Sequence, residues 1–255
     1  MKHTLSVAAA AAVAILSSDC SAAVVAWGTP RPIIGDADVS LTGTLVGAIN
    51  LGAASSFGVA TTTTVNGVTF DAAGRDFTAA SFVTYGVFTV GATGLNNKWG
   101  GSRSDGFIPP FTALSPEYQA LLGSFSGAFS TGSTEGVPLI ITMNSLTPGL
   151  RYEFQVWSNL SNSAPRVTRF SDTAGFADLV SNTGALSAGV GQHVVGTFTA
   201  DGTTQTISVD APDSVGIINA IQLRLVPSPG TSALLAAGTL PLVRRRRRSV
   251  ASVVA

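Results

Sequence analysis

Hydrophobic and polar positions alternate along much of the chain, most clearly where Tyr152, Phe154 and Val156 interleave with Glu153, Gln155 and Trp157. A period of two puts three large apolar groups on one face of a β-strand. Just before it, Leu146-Thr147-Pro148-Gly149 has the composition of a turn, in which proline fixes φ and glycine supplies a positive φ. Residues 139–143 and the strand after this turn are therefore expected to form a hairpin. Asn66-Gly67, between 61–65 and 68–70, and Asp201-Gly202, between 194–199 and 204–209, carry the same hairpin signature. The last strand, 217–225, sets Ile217, Ile221, Leu223 and Leu225 on one face with Asn219 among them.

One helix interrupts this pattern. Ser115 can cap it, Pro116 stands in the first turn where a missing N–H costs nothing, and Glu117 suits the positive end. Tyr118, Leu121 and Leu122 form its apolar stripe, and Gly123 ends it. Many short strands, Gly-rich turns and no βαβ alternation predict an all-β fold, an antiparallel, jelly-roll-like β-sandwich with one short helix. A single domain over 24–226 is expected, flanked by an N-terminal signal peptide and a C-terminal hydrophobic helix.

The two ends depart from the alternation. Lys2 and His3 precede an apolar stretch at 5–16, and Ser21-Ala22-Ala23 offers a small-x-small cleavage site, so 1–23 reads as a secretory signal peptide. Cleavage there removes Cys20, the only cysteine. At the other end, Pro227-Ser228-Pro229 leads into an apolar run at 231–243 closed by Arg244, Arg245, Arg246, Arg247 and Arg248. A helix over that run extends about 20 Å against a hydrocarbon core of roughly 30 Å. The arginines favour the cytoplasmic side, so the expected topology keeps the body outside. The whole chain has 14 basic and 14 acidic residues; Lys2 and the five terminal arginines lie outside 24–226, as does Asp19, leaving 8 basic and 13 acidic. An acidic body disfavours a nucleic-acid partner.

The arrangement of Pro227-Ser228-Pro229-Gly230, the apolar run and the arginine cluster resembles the PEP-CTERM sorting signal, also known as the ice-binding protein C-terminal motif. Ser228 stands where the family usually has Glu, and 249–255 trail beyond the arginines where most members stop. The resemblance implies export to the envelope or extracellular space of a Gram-negative bacterium, with signal peptidase and an exosortase as partners. It also implies a transient inner-membrane anchor over 227–255 and an association with exopolysaccharide production. In addition, the stretches LTPGLRYEFQVW at 146–157, GQHVVGTFTADG at 191–202 and NAIQLR at 219–224 resemble galactose-binding-type jelly-roll domains of secreted PEP-CTERM proteins. That second resemblance implies a carbohydrate-binding-like sandwich.

Catalytic signatures are sparse. No Gly-x-Ser-x-Gly elbow, His-rich metal motif or phosphate-cradling loop is present. His193, the sole histidine of 24–226, starts a strand and is expected at its edge or on the surface. Glu117, Glu135 and Glu153 are available to pair with an Asp for glycoside hydrolysis, but Glu153 falls on a solvent face and Glu117 complements the helix dipole. No catalytic set, cofactor or metal is therefore expected. Asp36 and Asp38 have the alternating oxygen spacing of a calcium-site fragment, although an Asp-rich turn bonding its own backbone is favoured.

A sugar ligand needs an aromatic platform and planar polar groups. Trp157, Asn159, Asn162 and Arg166, where a strand gives way to a loop, are the candidate ligand-binding residues; the alternative buries Trp157 beneath 158–165. Trp99 is a second loop aromatic. Thr61, Thr62, Thr63 and Thr64 alternate faces and build no flat array. The leading expectation is an exported, non-catalytic, polysaccharide-associated module. A purely structural surface protein and a glycan-active hydrolase are the alternatives.

Overall fold

The computed structural model describes residues 23–54, 59–74, 82–92, 97–101, 109–129, 138–184, 189–212 and 215–227, with the side chains of 97–101, 128, 129 and 215 excepted. Residues 1–22 of the expected signal peptide, Glu135, Pro229 and Arg244 to Arg248 lie outside the described residues, whereas Ala23 is buried in the core. In chain order the first strands are β1 (Ala26–Trp27), β2 (Arg31–Pro32), β3 (Thr44–Gly52), β4 (Thr63–Val65), β5 (Val68–Gly74) and β6 (Phe82–Tyr85). Next come β7 (Phe88–Gly91), β8 (Asn97–Gly101), helix α1 (Pro116–Leu122), β9 (Ser124–Phe129) and β10 (Leu139–Met143). The chain continues through β11 (Arg151–Ser158), β12 (Val167–Ser171), β13 (Phe176–Val180) and β14 (Gln192–Thr199). It closes with β15 (Gln205–Asp210), β16 (Val215–Ile218) and β17 (Ala220–Val226).

These strands build an all-β sandwich. One sheet has the order β1-β14-β11-β17-β3-β5-β4, with β2 also beside β14; the facing sheet has the order β13-β12-β15-β10-β7-β6. A small third sheet is ordered β16-β9-β8, which places Trp99 in a strand rather than a loop. Every strand pair among the described residues is antiparallel except β3 with β5, which run parallel. The alternation seen in the sequence does its work between the two large sheets. Tyr152, Phe154, Val156, Ile221 and Leu223 from one meet Phe88, Ile141, Phe170, Leu179 and Ile207 from the other in one buried cluster. Each such side chain removed from water contributes roughly 1.5–3 kcal/mol.

Local signals fold as expected. Asn66 and Gly67 both take positive φ, 49° and 75°, and join β4 to β5 as a tight hairpin. Ser115 Oγ accepts the Tyr118 N–H at 3.1 Å at the start of α1. Beyond its end, the Leu122 carbonyl accepts Asn219 Nδ2 at 3.0 Å, which satisfies one of the acceptors that a helix C-terminus leaves open.

Three expectations about how strands connect change. The Leu146-Thr147-Pro148-Gly149 turn does not close a hairpin, because β10 belongs to one large sheet and β11 to the other. The Asp201-Gly202 turn likewise carries the chain from β14 in one sheet to β15 in the facing one. The two arches brace each other, with Leu146 N–H donating to the Thr203 carbonyl at 3.0 Å and Gly149 N–H to the Ala200 carbonyl at 2.7 Å. Tyr152 Oη accepts the Thr147 N–H at 2.9 Å, fixing the corner from inside in the manner of a tyrosine corner. The expected last strand is also two strands. Asn219 breaks it, and β16 enters the small sheet while β17 lies in the large one between β11 and β3.

Glu153 does not face solvent. The outer face of its sheet carries a further layer in which α1 packs Tyr118, Leu121 and Leu122 with Ile33, Val39, Phe70 and Trp157. Strand β11 is thereby buried on both faces.

Candidate functional site

The outer face of β11 begins as a row of polar side chains. Antiparallel register sets Glu153 against Arg224 and Gln155 against Gln222 on one flank, and Trp157 against His193 on the other. Polar groups buried at a sheet face need partners, and here a strap of chain at 33–43 supplies its backbone. Gln155 Oε1 accepts the Ser40 N–H at 3.0 Å, and Gln155 Nε2 donates to the Asp38 carbonyl at 2.7 Å. Gln222 Nε2 donates to the Ser40 carbonyl at 3.2 Å. Arg224 donates to three carbonyls, those of Thr42 at 2.7 Å, Gly43 at 3.0 Å and Leu41 at 3.2 Å. Ser40 Oγ donates to the Glu153 carboxylate. Burial lowers the guanidinium pKa of Arg224, and the nearby Glu153 charge opposes that shift.

Gln155 also decides the state of His193. Its amide orientation is set by two backbone groups, a donor at Ser40 and an acceptor at Asp38, so its Nε2–H₂ must face His193 Nδ1 at 3.1 Å. Nδ1 therefore accepts, and the imidazole is neutral with its proton on Nε2. Burial pushes the His193 pKa down; Asp38 opposes the shift and Arg31 adds to it. The ring stacks on Trp157 with centroids 6.3 Å apart. Contrary to the surface position expected from sequence, His193 is buried.

Asp38 faces it. One carboxylate oxygen, Oδ2, accepts N–H groups from Ile34 at 2.7 Å and Gly35 at 3.0 Å, with the Tyr118 hydroxyl at 3.4 Å. Asp36 accepts from Ser115 Oγ at 2.6 Å. The Asp36–Asp38 turn thus spends Asp38 Oδ2 on its own backbone and Asp36 Oδ1 on the cap of α1. Among the described residues no group of three His, Cys, Asp or Glu side chains could hold a metal ion. Between the strap, the β1–β2 connection and β14 lies a cleft of about 570 Å³, whose lining includes Thr29, Arg31, Pro32, Ile34, Asp38, Ser40 and His193. That volume lies within the range of small-ligand sites.

The residues proposed from sequence do not form a sugar site. Trp157 is fully buried; its Nε1 donates to the Tyr118 hydroxyl at 2.9 Å and its ring meets Phe70 edge-on, so no aromatic face is presented. The desolvated Tyr118 hydroxyl, beside Asp38, has a pKa well above its ordinary value. Asn159 is also fully buried, where its Oδ1 accepts the Gly191 N–H at 2.9 Å. Only Asn162 is exposed, and Arg166 is half-buried with its Nε donating to Ser163 Oγ at 3.2 Å. Strand β11 ends in a packed corner, not at a binding rim. Of the carboxylates considered for hydrolysis, Glu117 is exposed on α1 and Glu153 lies beneath the strap.

Sequence reading noted Asp38 and His193 separately but did not join them, and it missed Gln155, Gln222 and Arg224. The available signal was residue type, since Gln, Gln and Arg on two neighbouring strands suit backbone partners better than open solvent does. Among the described residues no helix is long and apolar enough to cross a membrane. Neither a protein-family model nor a curated protein matches the chain.

Proposed function

We propose that the chain is an exported, non-catalytic module of a Gram-negative cell surface or extracellular matrix that associates with polysaccharide. In this reading it is trimmed by signal peptidase near Ala23 and by an exosortase near Pro227 and Pro229. The observation that supports the binding half is the cleft beside the strap, which offers Arg31, Asp38 and His193 to a small polar ligand. The non-catalytic half rests on His193. A general base needs a free basic nitrogen, but Nδ1 is committed to Gln155 and Nε2 carries the proton. Ser40 Oγ, one of the hydroxyls at the same cleft, is bonded to Glu153 rather than to the imidazole. Export rests on the signal-like sequence at 1–23 and 227–248.

Retention of the folded chain on a panel of envelope and matrix polysaccharides tests the binding claim, and no retention on any of them rejects it. The second reading, a purely structural surface protein, draws support from the complete burial of Trp157 and Asn159, and that negative result would favour it. Mass spectrometry of the exported form checks the processing claim, with a C-terminus expected near 227–230. An intact arginine run on that form would contradict it.

A further inference from the structure

In the wall of the cleft, His193 Nε2 and Asp38 Oδ1 stand 3.9 Å apart, each on a side chain only 7% exposed. That separation is too long for a direct hydrogen bond. Neither atom has a hydrogen-bond partner among the described residues, whereas the other nitrogen of the imidazole and the other oxygen of the carboxylate are both occupied. A donor fixed by Gln155 and an acceptor fixed by the strap are thus held open toward one volume. Both atoms border the cleft, so whatever replaces water there must match a donor beside an acceptor, and a group that leaves either one unpaired loses free energy.

We infer that this pair is the recognition subsite for a ligand hydroxyl, and that the ligand of the cleft is an uncharged sugar. An oxygen placed about 2.8 Å from both atoms fits across the gap. A hydroxyl accepts from Nε2–H with a lone pair and donates its own proton to Oδ1, satisfying both at once. A carboxylate or sulfate oxygen has no proton for Asp38 and is repelled by it; an ammonium has no lone pair for the imidazole N–H. Arg31 at the rim offsets the Asp38 charge and leaves donors for a second ligand oxygen. The Pro32 and Ile34 side chains provide the apolar contact that a pyranose ring needs in the absence of an aromatic platform. The inference rests on the glycan-binding reading above and names the atoms that carry it.

His193 makes the test direct. Long-range nitrogen-detected NMR of the full chain, with the His193 signals assigned by their loss in His193→Gln, is followed during titration with methyl hexopyranosides. The expected result is a saturable shift of Nε2 while Nδ1 keeps its acceptor signature. Asp38→Asn is the paired variant. Its amide oxygen can still accept from Ile34 and Gly35, while its NH₂ turns a second donor toward His193, so hexopyranoside affinity should drop about tenfold or more. Retained amide protection at Ile34 and Gly35 reports that the strap is intact in the variant, and the wild-type titration stands even if the variant does not fold. Polysaccharide retention without movement of His193 overturns this subsite but leaves the binding module. Failure of every saccharide to bind removes both. A His193 shift with acetate or sulfate, accompanied by a rise in its pKa, overturns the inference in favour of an anion site.

Discussion

The indole Nε1 of Trp157 donates to the Tyr118 hydroxyl at 2.9 Å, so the only α-helix among the described residues is tied to the outer face of the β11 sheet by a buried side-chain bond. Removing the indole leaves a large void and takes from the Tyr118 hydroxyl its only donor, leaving it the 3.4 Å bond to Asp38. Trp157→Ala should cost about 3–5 kcal/mol, and Tyr118→Phe, which strands only the indole N–H, about 1–3 kcal/mol. Denaturant unfolding of both variants checks the ranking, and a Trp157→Ala protein as stable as the parent would contradict the packing role.

Stability should decline in weak acid through His193. The folded protein holds this imidazole below its ordinary value of 6.5, so in the interval just below 6.5 the unfolded chain binds more protons than the folded one. The contribution is complete above about pH 6.5 and is lost as the pH falls through the folded value. The groups facing the ring are Gln155, Asp38, Arg31 and Trp157. Unfolding free energy measured between pH 7.5 and 5 should fall in the parent, and less steeply in His193→Gln.

Arg224 holds three strap carbonyls from a nearly buried position. Arg224→Ala leaves those acceptors without their donor and Glu153 without its neighbouring charge, a loss of about 3–5 kcal/mol. Native-state hydrogen exchange should then show faster exchange at Ile34, Gly35 and Ser40, while amides of β10 and β15 in the facing sheet keep their protection. Uniform acceleration through both sheets would mean that the strap is no separate unit.

Tyr152→Phe removes the acceptor for the Thr147 amide without changing the ring that stacks on Phe198 at 5.6 Å. A cost of about 1–2 kcal/mol is expected, with faster exchange at Thr147 and unchanged exchange at Val156.

Features set by a few neighbouring residues were legible in the sequence. Asn66-Gly67 needs positive φ at both positions and gets a hairpin, and Ser115 with Pro116 starts a helix wherever an apolar stripe follows. The arches at 146–149 and 200–203 were not legible, because the same turn residues serve a hairpin and a crossing between sheets. What separates the two outcomes is remote, the Tyr152 hydroxyl and the bonds from one arch to the other. Alternation at Glu153 and Gln155 gave the strand and its core face correctly. It could not distinguish a face wetted by solvent from one covered by the polar backbone of 33–43. The cleft depends on that covering segment, so its pairing of Asp38 with His193 was out of reach from local pattern alone.

The strap joins the opposite ends of the domain: Ser40 bonds Gln222 and Thr42 bonds Arg224, each 182 residues away along the chain. A chain emerging from its N-terminus can therefore seat the strap on Ser115, Tyr118 and Gln155 first, while its bonds to Gln222 and Arg224 wait until nearly the whole body has been made. The strap is fully locked only when β17 arrives, and contacts of such separation are the slow ones to form. Full locking of the strap becomes the last event of its assembly, and a fragment ending before Ala220 should hold it less firmly than the whole body does, through its bonds to β11 and the start of α1 alone.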